Sequence, residues 1–112
     1  MDFINTLKIH RRYGVVDLPI EFIDIQSSSR KNRKYMITVR HRGVTKTIHY
    51  GDKRYQQYED RTPDDEYFIL NHHDLKRRNS YLARASRIRN KNGDLTCNDP
   101  FSANRYSIIT LW

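Results

Sequence analysis

Two short segments with alternating side chains flank His41-Arg42-Gly43, and this arrangement constrains the fold more than any other feature of the chain. From residue 35 to 40, Tyr, Ile and Val alternate with Met, Thr and Arg, and a similar two-residue period runs from residue 44 to 50. Such segments on either side of a short link that contains glycine are typical of a β-hairpin. The sequence therefore predicts an antiparallel hairpin over about residues 35–50.

A third strand is predicted before the hairpin, over residues 20–25, where isoleucine and phenylalanine predominate. Residues 26–33 follow it as a polar and basic loop. Three antiparallel strands are about the smallest sheet that is stable when a helix packs on one face. We therefore expect a small antiparallel sheet with a helical cover.

The segment 73–89 is a candidate for this cover, because its apolar side chains recur at helical spacing while its basic ones lie mostly on the opposite face. Asn71 or Asp74 could cap the start of the helix. Gly93 lies beyond its end, where a left-handed residue is common. The face predicted to be buried consists of Leu75, Tyr81 or Leu82, Ala85 and Ile88.

The chain of 112 residues fits one domain. Residues 1–14 mix helical and extended spacings, whereas residues 101–112 carry aromatic and aliphatic side chains that fit a short amphipathic helix or a strand. The turn Asn98-Asp99-Pro100 precedes this last element. We predict an α+β fold of one domain, with an N-terminal arm, a strand and the basic loop over residues 1–33 and the hairpin, the helix and the last element over residues 34–112.

The chain is strongly basic, with 21 Lys and Arg residues against 13 Asp and Glu residues and a net charge of +8. A field of this sign favours phosphate, an anionic membrane surface or an acidic protein as the partner. The charge is clustered, since six basic residues lie between Arg30 and Arg42 and seven between Lys76 and Lys91. These two basic blocks are therefore the first candidates for a binding surface.

Arginine and lysine side chains on one helix face can neutralise a row of phosphates, and tyrosine rings beside them can stack on bases. The same side chains are also common on solvated helix faces and at protein interfaces. Trp112 either packs on the chain's own core, which we favour, or is an anchor in the pocket of a partner. The candidate binding residues are Arg30, Lys31, Arg33, Lys76, Arg77, Arg78, Arg84 and Arg87, and the candidate aromatic anchors are Tyr55, Tyr58, Tyr81 and Trp112.

No residue pattern in the sequence indicates an enzyme or a bound metal. His72 and His73 are adjacent, so they cannot share one face of a helix or strand as joint ligands. The acidic run Asp64-Asp65-Glu66 is interpreted as a solvated loop or as a complement to the basic residues. Phosphate loops, nucleophile elbows and catalytic triads have no counterpart in the sequence. We therefore expect no catalytic residue, no metal and no cofactor.

Cys97 is the only cysteine. It excludes an internal disulfide, and it fits a reducing compartment or an assembly formed in one. No apolar run approaches the roughly 18 residues that a membrane span needs. Met1-Asp2-Phe3 lacks the basic flank and the long apolar stretch of a secretory signal. We therefore expect neither a membrane-spanning segment nor a secretory leader.

Beyond residue 46, several short motifs follow one another in a definite order. They are Thr47-Ile48-His49-Tyr50-Gly51, Tyr55 and Tyr58, Asp74 through Arg78 with Tyr81-Leu82-Ala83-Arg84, Asn98-Asp99-Pro100, Ser102-Ala103, Ser107 and Leu111-Trp112. As an ordered set, over roughly the last two thirds of the chain, they resemble a family of small uncharacterised proteins of large nucleocytoplasmic DNA viruses, such as the iridovirus, mimivirus and marseillevirus groups. The chain departs from the family pattern at Ala85, Asn104 and Leu95-Thr96-Cys97, where His, Gly and a Trp are usual.

This resemblance implies a viral origin and a place in or on the virus particle. Together with the basic charge and the eight tyrosines, it favours a non-enzymatic minor capsid or cementing protein that bridges larger capsid proteins. Its location would then be the virion, and the host cytoplasm during assembly, with homo-oligomers as a further option. The alternative is a basic nucleic-acid-binding protein that is packaged with the viral genome.

Overall fold

The structure of the protein is a computed structural model that describes residues 10–112. The prediction for residues 1–14 lies largely outside the described residues. From residue 10 onward the strands are β1 (Glu21–Ser27), β2 (Arg33–His41) and β3 (Val44–Asp52), and the helices are α1 (Leu75–Ala85) and α2 (Ala103–Leu111). Short 3-10 turns lie at Arg11–Tyr13, Phe68–Leu70 and Thr96–Asn98. The three strands form one antiparallel sheet in the order β1-β2-β3, which confirms the predicted α+β class.

The predicted hairpin is formed by β2 and β3, and His41 pairs with Val44 next to the turn. The two linking residues, Arg42 and Gly43, both have positive φ, at 50° and 80°. A two-residue loop of this kind has a twist that matches the right-handed twist of the strands. The turn therefore fixes the register, and the register determines which side chains face the core.

β1 contains a bulge that explains its irregular sequence pattern. Phe22 pairs with Val39 and Ile25 pairs with Ile37, and the register shifts between Phe22 and Asp24. In a regular strand, residues three apart point to opposite faces. Because the bulge adds one residue, both Phe22 and Ile25 pack against the core, while Ile23 is 42% exposed.

The core lies between the sheet and α2. β2 contributes Tyr35, Ile37 and Val39, each at most 1% exposed, as the alternation predicts. Nearly the whole of α2 is buried, from Arg105 to Leu111 except for Ser107, which is partly exposed. α2 packs on β3, and α1 packs against α2. The main cover of the sheet is thus the C-terminal helix, and the basic helix forms a further layer beside it.

The basic helix is shorter than the predicted segment 73–89. Asp74 caps it, since its carboxylate accepts hydrogen bonds from the backbone N–H groups of Lys76 and Arg77, at 3.0 and 3.2 Å. The helix ends at Ala85, whose carbonyl accepts a hydrogen bond from Asn104 Nδ2 at 2.9 Å, and the chain then turns. Two predictions for its buried face are wrong and two are confirmed: Leu75 is 58% and Ile88 48% exposed, whereas Leu82 and Ala85 are buried.

Candidate anion-binding cleft

An open cleft of about 750 Å³ lies beside α1, where the end of β3, the residues after it and the end of α2 meet the helix. α1 lines it with one face, because residues three and four apart share a side of a helix. Half of the residues predicted from the sequence to bind a partner come together here. They are Lys76, Arg77, Arg84, Tyr55, Tyr81 and Trp112.

The cleft is strongly positive. Arg54 and Lys34 add two more cations to the three from α1, and Asp52 is the carboxylate among the lining residues. Arg54 binds Asp52 through two hydrogen bonds, at 2.7 and 3.0 Å. These bonds hold the pKa of Asp52 well below its usual range. Because Asp52 and Arg54 form an ion pair, their charges largely cancel each other, and the net positive charge of the cleft comes from Lys34 and the three cations of α1.

Aromatic rings form part of the wall of the cleft. Tyr81 and Trp112 stack with ring centroids 3.9 Å apart and planes 8° from parallel, and the Arg84 guanidinium lies 5.7 Å from the centre of the Tyr81 ring. Trp112 packs on the core of its own chain, as we favoured. Tyr55 is different, because its side chain is 63% exposed. It is therefore the ring in the cleft most open to a ligand.

Lys34 was not among the predicted site residues, yet it lines the cleft and is only 2% exposed. Its ammonium group donates to the Tyr55 carbonyl, at 2.9 Å, and to Gln57 Oε1. Burial lowers the pKa of Lys34 to about 8, although the negative charges of Asp60 and Asp52 act in the opposite direction. Its ammonium group also lies 5.9 Å from the centre of the Tyr67 ring, so Lys34 contributes to the cleft mainly through its charge.

Gly51 makes room for the Lys34 side chain. It has a φ of +77°, and a Cβ there would lie 3.1 Å from Lys34 Cβ and 3.2 Å from Leu111 Cδ1. Such distances are closer than ordinary van der Waals contact, and the positive φ is also unfavourable for other residues. A glycine facing a lysine across the hairpin is the sequence signal that could have pointed to Lys34.

A buried polar network fixes the segment that carries Tyr55. Gln57 accepts from Lys34 and donates to the Tyr67 carbonyl and to Asn71 Oδ1, at 2.8 and 2.6 Å. Asn71 Oδ1 in turn accepts from the Asp60 backbone N–H, at 2.8 Å. Asn71 is therefore part of this network and does not cap α1, which is capped by Asp74. The network explains why the residues after β3 have one defined path despite having little regular structure.

The remaining predicted residues lie away from the cleft lining. Arg78 is only 9% exposed, and its Nε donates to the Trp112 carbonyl, at 2.6 Å, while its guanidinium lies 4.4 Å from the centre of the Tyr58 ring. Arg78 and Tyr58 thus have structural contacts within the chain. Arg78 therefore does not belong to the exposed basic face of α1 that was predicted to bind a partner. The others are exposed but outside the lining, and they are Arg30, Lys31, Arg33 and Arg87.

The acidic and histidine residues have separate positions. Asp64, Asp65 and Glu66 are exposed, as expected for a solvated loop, but Asp60 is buried. His72 Nδ1 accepts a hydrogen bond from the Asp74 N–H, at 2.9 Å. His73 Nε2 lies 3.5 Å from Glu59 Oε1. Within residues 10–112, no group of three or more His, Cys, Asp or Glu side chains could hold a metal ion. No helix of this same range is long and apolar enough to cross a membrane.

Comparisons with known proteins give no family for the chain. No family model matches it, and neither a curated protein nor a solved structure is significantly similar to it. The resemblance to the viral family therefore remains a prediction.

Proposed function

We propose that the protein binds single-stranded nucleic acid in the cleft. The observation that carries the proposal is that five basic side chains and the rings of Tyr55, Tyr81 and Trp112 line the same cavity. Proteins that bind single strands without sequence preference combine a basic groove for the phosphates with aromatic rings on which bases stack. A solvated basic helix face would have the charges without the rings.

The exposed ring of Tyr55 favours a single strand over a duplex. Bases in a duplex are stacked on one another, whereas an unstacked base offers its face to an aromatic side chain, a contact that contributes about 1–3 kcal/mol. Lys34 adds a charge that depends on pH, because its pKa is about 8. The positive charge of the cleft therefore falls as the pH rises through about 8, where Lys34 loses its proton.

The first test measures affinity for an oligothymidylate against salt concentration. Trp112 is the only tryptophan and lines the cleft, so its fluorescence can report binding without a label. Each phosphate that is neutralised on a single strand contributes about −0.7 to the slope, so log K should fall linearly with log salt. Tyr55→Ala should weaken binding roughly 5- to 150-fold, which corresponds to the loss of one stacking contact of about 1–3 kcal/mol.

Inorganic polyphosphate is the matched control ligand, since it carries charge but no base. Tyr55→Ala should leave the affinity for polyphosphate unchanged. Equal affinities for polyphosphate and oligothymidylate, or no binding of the oligothymidylate at low salt, would contradict the proposal.

A second candidate function follows from a different surface. Phe68 and Ile69 are adjacent, and they are 62% and 81% exposed. Large apolar side chains exposed side by side are typical of contacts with another protein. This observation supports the role of a minor capsid or cementing protein that bridges larger capsid proteins in the virion, in agreement with the resemblance to the viral family.

The virion role predicts that purified particles contain the chain in a fixed ratio to the major capsid protein. Phe68→Ser with Ile69→Ser should lower the amount of chain in particles by at least tenfold, as measured by quantitative mass spectrometry. Val16→Ser with Val44→Ser is the control, because it replaces two other exposed apolar residues, each 46% exposed. Absence of the wild-type chain from particles would rule out this role.

A further inference from the structure

A second basic surface adjoins the cleft. Arg30 and Lys31 are exposed in the loop between β1 and β2, and Arg33 is exposed at the first position of β2. The loop has internal hydrogen bonds, since the Arg30 N–H donates to Ser28 Oγ at 3.0 Å and the Arg33 N–H donates to the Arg30 carbonyl at 3.2 Å. The three cations are therefore carried by a turn of defined shape. We call Arg30, Lys31 and Arg33 the basic loop.

Two backbone contacts place the basic loop at the edge of the cleft. Arg33 pairs with Asp52 across the hairpin, and the Lys53 N–H donates to the Asn32 carbonyl at 3.1 Å. Asp52 and Arg54, on either side of Lys53, both line the cleft. Lys53 is itself exposed. The basic loop and the cleft thus meet at Lys53.

The cleft alone is too small for a long ligand. Cavities of about 300–1,000 Å³ hold molecules of drug size, so a volume of about 750 Å³ corresponds to roughly one or two nucleotides. A longer strand must leave the cleft across one of its edges. The edge at Lys53 leads directly to the three cations of the basic loop. The acidic side chain at this edge, Asp52, forms an ion pair with Arg54, so it repels a phosphate less than an unpaired carboxylate would.

We propose that a bound strand leaves the cleft past Lys53 and continues over the basic loop. This inference rests on the proposed function and deepens it, because it makes the ligand a polynucleotide rather than a mononucleotide or dinucleotide. Each phosphate that the loop neutralises releases counterions and adds to the affinity for a long strand. The cleft supplies base stacking and the loop supplies only phosphate contacts.

The test compares a 5′-phosphorylated dithymidylate with a twelve-nucleotide oligothymidylate, using Trp112 fluorescence at about 0.1 M salt. The loop variant carries Arg30→Ser, Lys31→Ser and Arg33→Ser. Three lost phosphate contacts at a slope of about 0.7 each should weaken binding of the twelve-nucleotide strand by roughly 100-fold and reduce the salt slope by about 2. Binding of the dithymidylate should change by less than about threefold, since the dinucleotide stays in the cleft.

The control variant carries Arg42→Asn, Arg87→Ser and Lys91→Ser, which removes three exposed charges outside the cleft and the basic loop. It should weaken both ligands equally and by less than about fivefold. The inference is overturned if the loop variant binds the long strand as tightly as the control variant, or if it weakens both ligands by the same factor. In either case the dithymidylate still binds the cleft of the wild type, so the proposed function stands. In this experiment the proposed function fails if neither ligand binds the wild type.

Discussion

Replacing Asp60 with asparagine is expected to lower the free energy of unfolding by about 3 kcal/mol, the order of loss seen when one partner of a buried charged network is removed. Asp60 is 6% exposed. Its oxygens accept hydrogen bonds from the Tyr35 hydroxyl, from the hydroxyl and N–H of Thr62, and from the N–H of Tyr67. An asparagine keeps the shape but turns an NH₂ group toward some of these donors. At least one buried donor then loses its acceptor, which is costly.

Asp64→Asn is the matched control, because it makes the same change of charge on an exposed residue in the same part of the chain. Its effect should be within about 0.5 kcal/mol. Urea unfolding measures the stability of both variants. A lower urea midpoint, with an unchanged dependence of the unfolding free energy on urea concentration, indicates a change in stability rather than in the unfolded state. If the two variants have equal midpoints, the buried network around Asp60 does not stabilise the fold as described.

Reversing two charges in the cleft, with Arg77→Glu and Arg84→Glu, should weaken binding of an oligothymidylate by roughly 100-fold or more. Two phosphate contacts at a slope of about 0.7 each account for roughly 25-fold at 0.1 M salt, and repulsion from the new carboxylates adds to this. Both side chains are exposed, so the fold should be retained. Far-ultraviolet circular dichroism checks this before binding is measured.

Arg87→Glu with Lys91→Glu is the control for the overall field, since it makes the same change in net charge with exposed residues outside the cleft. Its effect should stay below about fivefold at 0.1 M salt, because exposed charges outside the cleft lining act on the strand only through a field that salt screens. A loss equal to that of the cleft variant would mean that net charge, and not the cleft, determines binding.

The sheet could be predicted from the sequence because its strands are buried on one face only. That burial requires a period of two in β2, and Arg42-Gly43 supplies the turn chemistry. The end of α1 could not be predicted, since the carbonyl of its last residue is bound by Asn104, nineteen residues further along the chain. The exposure of Leu75 and Ile88 could not be predicted either, because a helix pattern alone does not show which of its side chains are covered by tertiary contacts.

The site was only half predictable for a similar reason. Cations on α1 and exposed tyrosines are visible in the sequence, and six of the predicted residues line the cleft. Lys34 and Asp60 are hidden among other charged residues, and only the packing of the segment after β3 on β2 removes them from water. Arg78 was wrongly predicted to be an exposed binding residue. Its position in a basic run does not indicate that it lies against Tyr58 and the Trp112 carbonyl.

The burial of α2 has a consequence for the order of folding. The contacts within β1-β2-β3 join neighbouring segments, whereas α2 reaches the sheet across a long separation, as in the hydrogen bond from Thr110 Oγ1 to the Tyr50 hydroxyl at 3.0 Å. Local contacts form faster than distant ones, because their loop-closure entropy is smaller. We therefore expect the hairpins to form first and α2 to dock late. Since Ser107, Leu111 and Trp112 line the cleft, a ligand bound there would stabilise the docked helix and slow its release.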